Sequence, residues 1–399
     1  MVITAHNIEQ KPGYKQTEIG WLPEDWEVKM IGEVAPLQRG FDLPTYQLKM
    51  GSYPVVYSNG ILNYHSDFRV NAPGVVTGRS GTIGKVQYIE NDYWPHNTSL
   101  WVTNFKGSLP KFIYYLFVYI NLEQFRTGSG VPTLNRNDVH TYQIPLPPLP
   151  EQQAIAAALG DVDALIASLD ALIAKKRDIK HATMQQLLTG KTRLPGFSGA
   201  WHSFNMADNS TLKARIGWQG LTTTEYLKEG EYYLVTGTDF VDGKIDWDTC
   251  HFVDAKRYVQ DKNIQLRVDD ILLTKDGTIG KAAYVDYLPN LTTLNSGVFV
   301  IRPNSDRFYA RYLYYVLRSS IFNSFLNQLK AGSTISHLYQ KDFVSFNFLL
   351  PSLEEQKSIV TILSDMDAEI ALVEQRRDKT RALKQAMMQE LLTGKTRLR

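Results

Sequence analysis

Cysteine is almost missing from this 399-residue chain, where Cys250 stands alone. A disulfide within the chain and a cysteine-based zinc cage are therefore excluded, and such a composition suits a reducing cytoplasm. An excess of one charge is missing too. The 43 Lys and Arg residues against 41 Asp and Glu leave a formal charge of +2. Any nucleic-acid surface must then be local or be completed by a partner. The longest apolar run, Phe112 to Ile120, is too short to cross a bilayer, so no membrane contact is expected. The amino terminus lacks the basic and apolar regions of a signal peptide, which again points to the cytoplasm.

Catalytic signatures are also wanting. The eight histidines show no H-E-x-x-H spacing, so no metal site is expected. Gly78-Arg-Ser-Gly-Thr-Ile-Gly-Lys85 ends like a phosphate-binding loop, but Arg79 stands where its first glycine belongs and Val86 replaces the Ser or Thr after the lysine. A second Gly-Thr-Ile-Gly-Lys loop fails alike, with Lys275 and Ala282 at those places, and Gly190-Lys191-Thr192 is preceded by Gln185 instead of glycine. Glu27-Val-Lys29 has the tail of a nuclease carboxylate–lysine motif, yet no Asp precedes Asp25. Neither a G-x-G-x-x-G at a helix start nor an Asn-Pro-Pro-aromatic motif occurs. Neither catalysis nor a bound cofactor is expected of this chain.

What the chain does contain is a repeat. Leu149 to Leu194 recurs as Leu353 to Leu398 at a gapless offset of 204 (353 − 149; 398 − 194), with 24 of 46 positions identical. Unrelated sequence of ordinary composition would share roughly 3. Each copy opens with Glu-Gln (Glu151-Gln152, Glu355-Gln356) and closes with Leu-Leu-Thr-Gly-Lys-Thr-Arg-Leu. Between these ends Ile155, Leu159, Val162, Ile166 and Leu169 follow the 4, 3 spacing of a coiled-coil seam, and Ile359, Leu363, Met366, Ile370 and Val373 repeat it. A helix over 151–188 would be about 57 Å long at 1.5 Å per residue. A second apolar row, Leu165, Leu172 and Ile179, widens the face beyond what one two-stranded seam needs.

The segments between the repeats are rich in short β-runs broken by turn residues, such as Pro54–Tyr57, Gly74–Thr77, Lys85–Ile89 and Leu100–Thr103. An aromatic helix is predicted over 110–125, ended by Gly128-Ser-Gly130, and Ile144-Pro-Leu-Pro-Pro-Leu-Pro150 reads as a stiff connector. The stripe Phe112, Tyr115 and Tyr119 at helical spacing points to core. Residues 195–350 follow the same plan at low identity: Gly277-Thr-Ile-Gly-Lys281 answers Gly81-Thr-Ile-Gly-Lys85, and Leu338 and Asp342 lie 204 after Leu134 and Asp138. The expected fold class is α+β, with two β-rich heads alternating with two long helices that pair as an antiparallel coiled coil about a pseudo-two-fold axis. The expected boundaries are a poorly ordered leader 1–20, head 21–147, helix 148–194, head 195–350 and helix 351–399. Two different heads on a rod suit two unlike half-sites on double-stranded DNA.

Candidate DNA contacts fall in the turns. Arg79, Lys85, Lys275 and Lys281 supply charge in the Gly-Thr-Ile-Gly-Lys loops, with Ser80, Thr82 and Thr278 beside them; the other reading of these loops is a structural hairpin. Asn59 can read adenine or simply form a turn, and Thr238 holds the corresponding place in the second half. Ser129 and Ser333 lie in small-residue stretches where backbone can meet phosphate or cap a helix.

In its Leu-Pro-Pro-Leu-Pro-Glu-Gln-Gln segment (146–153), both Leu-Leu-Thr-Gly-Lys-Thr-Arg-Leu ends, its paired Gly-Thr-Ile-Gly-Lys loops and its Leu134-Asn135-x-x-Asp138 segment, the chain resembles the specificity subunits of Type I restriction–modification systems. The resemblance covers nearly the whole chain. It implies two target-recognition domains reading a bipartite DNA sequence, and two helical regions that measure the spacer and dock two methyltransferase subunits. It further implies two restriction subunits in the complete assembly, with S-adenosylmethionine, ATP and magnesium used by those partners. The alternatives are a stand-alone or fused nuclease or methyltransferase, or a two-headed adaptor that binds protein only.

Overall fold

The computed structural model describes residues 12–128, 130–330 and 337–398. Four helices organise them: α1, Pro110–Ile120; α2, Leu149–Leu188; α3, Ala310–Leu317; and α4, Leu353–Leu391. The chain gathers into two compact units, residues 1–171 with 374–399, and residues 172–373. Each unit is thus one head together with part of each long helix.

In the first unit, Leu37–Arg39, Ser99–Val102, Gly74–Gly78 and Val86–Ile89 form an antiparallel sheet in that spatial order. A smaller sheet places Tyr53–Tyr57 between Gly60–His65, antiparallel, and Trp94–Pro95, parallel. The strand Glu27–Met30, just after Trp26, pairs with Gln143–Leu146, so the head begins and ends at one place. β-Branched and aromatic residues fill these strands because their side chains pack well on a pleated, buried surface, and Val55, Val56, Val75 and Val76 are wholly buried. The core joins Trp26, Ile31, Phe112, Tyr115 and Leu116 to Ile155 and Leu159 of α2 and to Met388, Leu391 and Leu392 at the end of α4. Asp163 of α2 pairs with Lys384 of α4 at 2.6 Å, and Asp170 with Arg377 at 3.5 Å and Arg381 at 3.0 Å. Rising numbers on one helix meet falling numbers on the other, so the two run antiparallel.

The second unit repeats the plan. Its four-stranded sheet runs Ser210–Ala214, Val298–Pro303, Ile271–Thr274, Ala282–Tyr284. Tyr232–Val235 lies between His251–Val253, antiparallel, and Thr292–Leu294, parallel. His202–Asn205 pairs with Asn347–Leu350. Phe204, Tyr312, Tyr315, Phe343 and Phe346 pack on Met184, Leu187 and Leu188 of α2 and on Ile359, Val360 and Leu363 of α4. Here Lys176 meets Glu369 at 2.6 Å and Lys180 meets Asp367, again antiparallel.

Along the expected seam, Ile155, Leu159, Leu169, Ile359, Leu363 and Ile370 are buried, while Val162, Ile166, Met366 and Val373 are half-buried. Leu165, Leu172 and Ile179 of the second apolar row are 38%, 40% and 48% exposed. Phe112 and Tyr115 lie in the core, whereas Tyr119 is 38% exposed.

Three local expectations need correction. Helix α1 stops at Ile120, not near Phe125, because Asn121 takes a left-handed φ of 55°; a single tight turn, Leu122–Phe125, follows. Gly128 therefore does not end it. The stiff connector expected of the proline cluster is extended but built into the head: its first part is a paired strand, and the Pro148 carbonyl accepts the N–H groups of Glu151 and Gln152 at 2.9 and 3.0 Å, starting α2. Within the expected leader, Tyr14–Thr17 pairs with Gly20–Pro23 and the Tyr14 hydroxyl donates to the Gly394 carbonyl at 2.9 Å; residues 1–11 lie outside the described residues. Among the described residues no helix is long and apolar enough to cross a membrane.

Candidate nucleic-acid interface

In the first head the loop 78–85 joins two antiparallel strands, and Gly81 and Gly84 take φ of 81° and 78°, where a side chain would be strained. The loop is held from both sides. Arg79 N–H donates to the Thr98 carbonyl at 2.8 Å, and Leu134 N–H donates to the Arg79 carbonyl at 2.8 Å. Ser80 bridges to Thr133 and is half-buried; Thr82 is exposed. Lys85 Nζ donates to the Asn59 carbonyl at 2.6 Å, which ties the loop to the exposed turn between Tyr53–Tyr57 and Gly60–His65. Segments far apart in sequence, around 59, 79–85, 97–98 and 133–136, thus meet at one place.

The second head builds the same frame. Lys275 N–H donates to the Gly297 carbonyl at 2.9 Å, and Leu338 N–H to the Lys275 carbonyl at 2.8 Å. Leu338 stands 204 after Leu134 (338 − 134). The side-chain content differs. Lys275 Nζ sits 5.4 Å from the Phe299 ring, and Thr274 Oγ1 donates to the Thr278 carbonyl at 2.5 Å and accepts Lys281 N–H at 2.9 Å. Thr278 and Lys281 are exposed. Thr238 is exposed in a short turn where its hydroxyl lies 2.6 Å from that of Thr236. That turn rests on Asp239, whose buried carboxylate accepts Thr236 N–H at 2.7 Å; burial raises its pKa. Ser129 and Ser333 lie outside the described residues.

Sequence reading missed Arg39 and Arg136. With Arg79, Leu100, Thr133, Leu134 and Asn135 they line an open cavity of about 350 Å³ in the first head. Arg39 lies on the sheet edge, and Arg136 begins the short helix Arg136–His140, which Asn135 caps by accepting Asn137 N–H at 3.0 Å. His140 Nε2 accepts Leu37 N–H at 2.8 Å and so fixes that helix to the strand bearing Arg39. Burial first, and the charge of Arg136 second, lower the His140 pKa, which keeps Nε2 an acceptor. The only advance signal was that Arg136 falls inside the Leu134-Asn135-x-x-Asp138 segment.

Where head meets helix, both units use the same kinds of side chain. Tyr115 Oη donates to Asp163 at 2.8 Å, and Lys384 pairs with the same carboxylate; Tyr315 Oη donates to Asp367 at 2.7 Å, and Lys180 pairs there. Gln152 accepts the N–H of Leu109, the residue before α1, at 2.8 Å, and Gln356 accepts that of Tyr309, the residue before α3, at 2.8 Å. Glu151 is bound by Arg397, and Glu355 by Arg193. Among the described residues no group of three or more His, Cys, Asp or Glu is arranged to hold a metal.

A family model described as Type I restriction modification DNA specificity domain matches residues 23–175 and 221–380. The candidate specificity subunit of type I restriction enzyme MjaX from Methanocaldococcus jannaschii is 26% identical over 432 aligned positions, covering 98% of each chain. The type I restriction–modification S subunit from M. genitalium has a similar fold, with a TM-score of 0.60 and 16% identity over 92% of this chain and 96% of its own. A chain from a structural study of complex assembly and conformational transition in a type I system gives a TM-score of 0.55 at 19% identity, covering 94% of this chain and 99% of its own.

Proposed function

This chain belongs to the Type I restriction–modification DNA specificity family, and from that premise we propose that its two heads read the two unlike halves of a bipartite, asymmetric DNA target. The chain is a specificity subunit with two target-recognition domains and no catalysis of its own. It works on double-stranded DNA with methyltransferase and restriction subunits. In the proposed assembly there are two of each, and S-adenosylmethionine, ATP and magnesium are bound by those partners and not by this chain. The paired helices set the length of the unread spacer and dock the methyltransferase subunits.

One observation carries this reading: the two heads share backbone hydrogen bonds around Arg79 and Lys275, while Ser80 and the Asn59 turn of the first are answered by Asp276 and the Thr238 turn of the second. A common frame with unlike contents is what two recognition domains of one reader require, since base-edge contacts depend on side-chain identity. Asn59, Arg79, Ser80, Thr82, Lys85 and Ser129 in the first head, and Thr238, Lys275, Thr278, Lys281 and Ser333 in the second, are the proposed DNA-facing positions. The test is base-resolution mapping of methylated adenine in a host that expresses this chain with its methyltransferase. A bipartite motif with two different halves is expected. A contiguous or palindromic motif, or methylation by the highly purified chain alone, overturns the reading.

A further inference from the structure

We propose that the first head grips the DNA backbone through a phosphate clamp made by Arg39, Arg79 and Arg136, that the second head lacks one, and that the two half-sites are therefore held with unequal dependence on salt. The inference rests on the DNA-reading function proposed above and adds to it which head carries the electrostatic share.

The three arginines line one open cavity. Compensating anions are few. Arg39 pairs with Asp42 at 2.9 Å, Arg79 Nη1 donates to the Asn97 carbonyl at 3.2 Å, and the Arg136 side chain has no hydrogen bond or ion pair among the described residues. Three cations around a solvent-open cavity with one carboxylate partner call for an anionic ligand. The planar fork of arginine matches phosphate oxygens in bidentate fashion. The positions are also fixed in advance. The Leu37–His140 bond locks the strand bearing Arg39 to the helix bearing Arg136, and Thr98 and Leu134 hold the backbone of Arg79.

The second head shows what is missing from it. In the first sheet Leu100 faces Arg39 on one side and Thr77 on the other; in the second sheet Phe299 faces Ala214 and Leu273. Arg79 follows Thr77 by two residues, as Lys275 follows Leu273, so Ala214 holds the register place of Arg39. At the offset of 204, Tyr339 and Gln340 replace Asn135 and Arg136. Of three cations only Lys275 remains. The neighbouring Arg215 is no substitute, being 1% exposed and committed to the Leu294 carbonyl at 2.9 Å and Thr293 Oγ1 at 3.3 Å.

Phosphate contacts release counterions and set the salt slope of binding without selecting sequence. The test uses the complex assembled with its methyltransferase subunits and a duplex carrying the mapped target, with affinity measured from low to moderate salt. The double variant Arg39→Gln/Arg136→Gln should make the slope of log affinity against log salt shallower by about 1 for each phosphate left unneutralised, with the methylated motif unchanged. The reciprocal variant Gln340→Arg in the second head should steepen it by about 1. Because the reciprocal variant adds a charge at an exposed place, it stays informative if the double variant folds poorly. A wild-type slope in the folded double variant, or in the reciprocal variant where the double variant does not fold, overturns the clamp, as does a changed first half-site with an unchanged slope, which would make these arginines base readers. Loss of sequence-specific binding by the wild-type complex would instead defeat the DNA-reading function itself, and the clamp with it.

Discussion

Arg397 closes on Glu151 through two parallel hydrogen bonds, Nε to Oε1 and Nη2 to Oε2, each 2.7 Å long, with the carboxylate almost wholly buried. Its remaining face takes Asp25 at 2.9 and 2.8 Å, and these carboxylates hold the guanidinium pKa above its ordinary value, Glu151 foremost. The Trp26 indole N–H completes the Glu151 shell at 2.8 Å. Arg193 and Glu355, each 204 residues away (397 − 193; 355 − 151), form the same pair at 2.6 and 2.7 Å. The final arginine of each repeat thus pins the first turn of the other copy's helix, inside a single unit each time.

Removing that pin should be costly. Arg397→Ala leaves the Glu151 carboxylate buried without its cation, and urea unfolding should show a loss of about 3–5 kcal/mol. Arg397→Lys keeps the charge without the two-pronged geometry, so it should recover only part of the loss. Equal stability of Arg397→Ala and wild type would mean the pair contributes nothing.

Gln152→Ala should destabilise by about 1–3 kcal/mol, because the Leu109 N–H is left without its acceptor at the part-buried start of α1. Gln356→Ala should act alike at Tyr309. Calorimetry on the two single variants is the check. A methylation motif changed by either would show that these glutamines do more than join head to helix.

Lys85 and Lys281 should behave differently although the loops correspond. Lys85 Nζ is tied to the Asn59 carbonyl, so Lys85→Ala should both weaken binding and blur the first half-site. Lys281 is exposed, and among the described residues its side chain makes no hydrogen bond to the Thr238 turn. Lys281→Ala should therefore lower the salt slope by about 1 with the motif intact. Identical effects of the two variants would remove the distinction.

The first unit should lose stability as pH falls below about 6.5, the ordinary histidine value. The folded His140 pKa lies lower, through burial and the Arg136 charge. Between the two values the unfolded chain binds a proton that the folded one does not, so acid favours unfolding there. The stability is complete above the unfolded pKa and stops falling once pH passes the folded one. Denaturant midpoints between about pH 7 and pH 5 should show the decline, and His140→Gln should lessen it. An unchanged pH profile in that variant would assign the effect elsewhere.

The long helices were legible because Ile155, Leu159 and their copies keep a strict spacing over many turns and are ended by glycine. Gly394, at φ 71°, shows why that residue is needed: a side chain there would lie 2.7 Å from Pro23. Four strands of the first head, Tyr53–Tyr57, Gly74–Gly78, Val86–Ile89 and Ser99–Val102, were legible from β-rich runs between turn residues, each end within a residue, whereas Leu37–Arg39 and Gln143–Leu146, which pair with distant segments, were not. The end of α1 was not, although Asn121 is a residue that enters the left-handed region readily, because the apolar pattern runs on past it through Leu122 and Phe125. The terminal Lys-Thr-Arg-Leu reads as a basic tail in sequence; only folding brings Arg397 to Glu151, 246 residues away. For the same reason the Gly-Thr-Ile-Gly-Lys loops could be named as candidates while the Arg39–Arg136 cavity could not. Its walls come from separate strands and loops whose meeting depends on the sheet register.

The make-up of the two units also sets an order of completion during synthesis. The second unit is one unbroken stretch, residues 172–373, and its core is all present once that stretch has left the ribosome. The first unit begins earlier but draws Met388, Leu391 and Leu392 from beyond the second. The head made first must therefore wait for Met388 to Leu392, holding apolar surface open through the emergence of its sister. A chain ended after Arg381 and released should have a second head that resists protease and a first that does not.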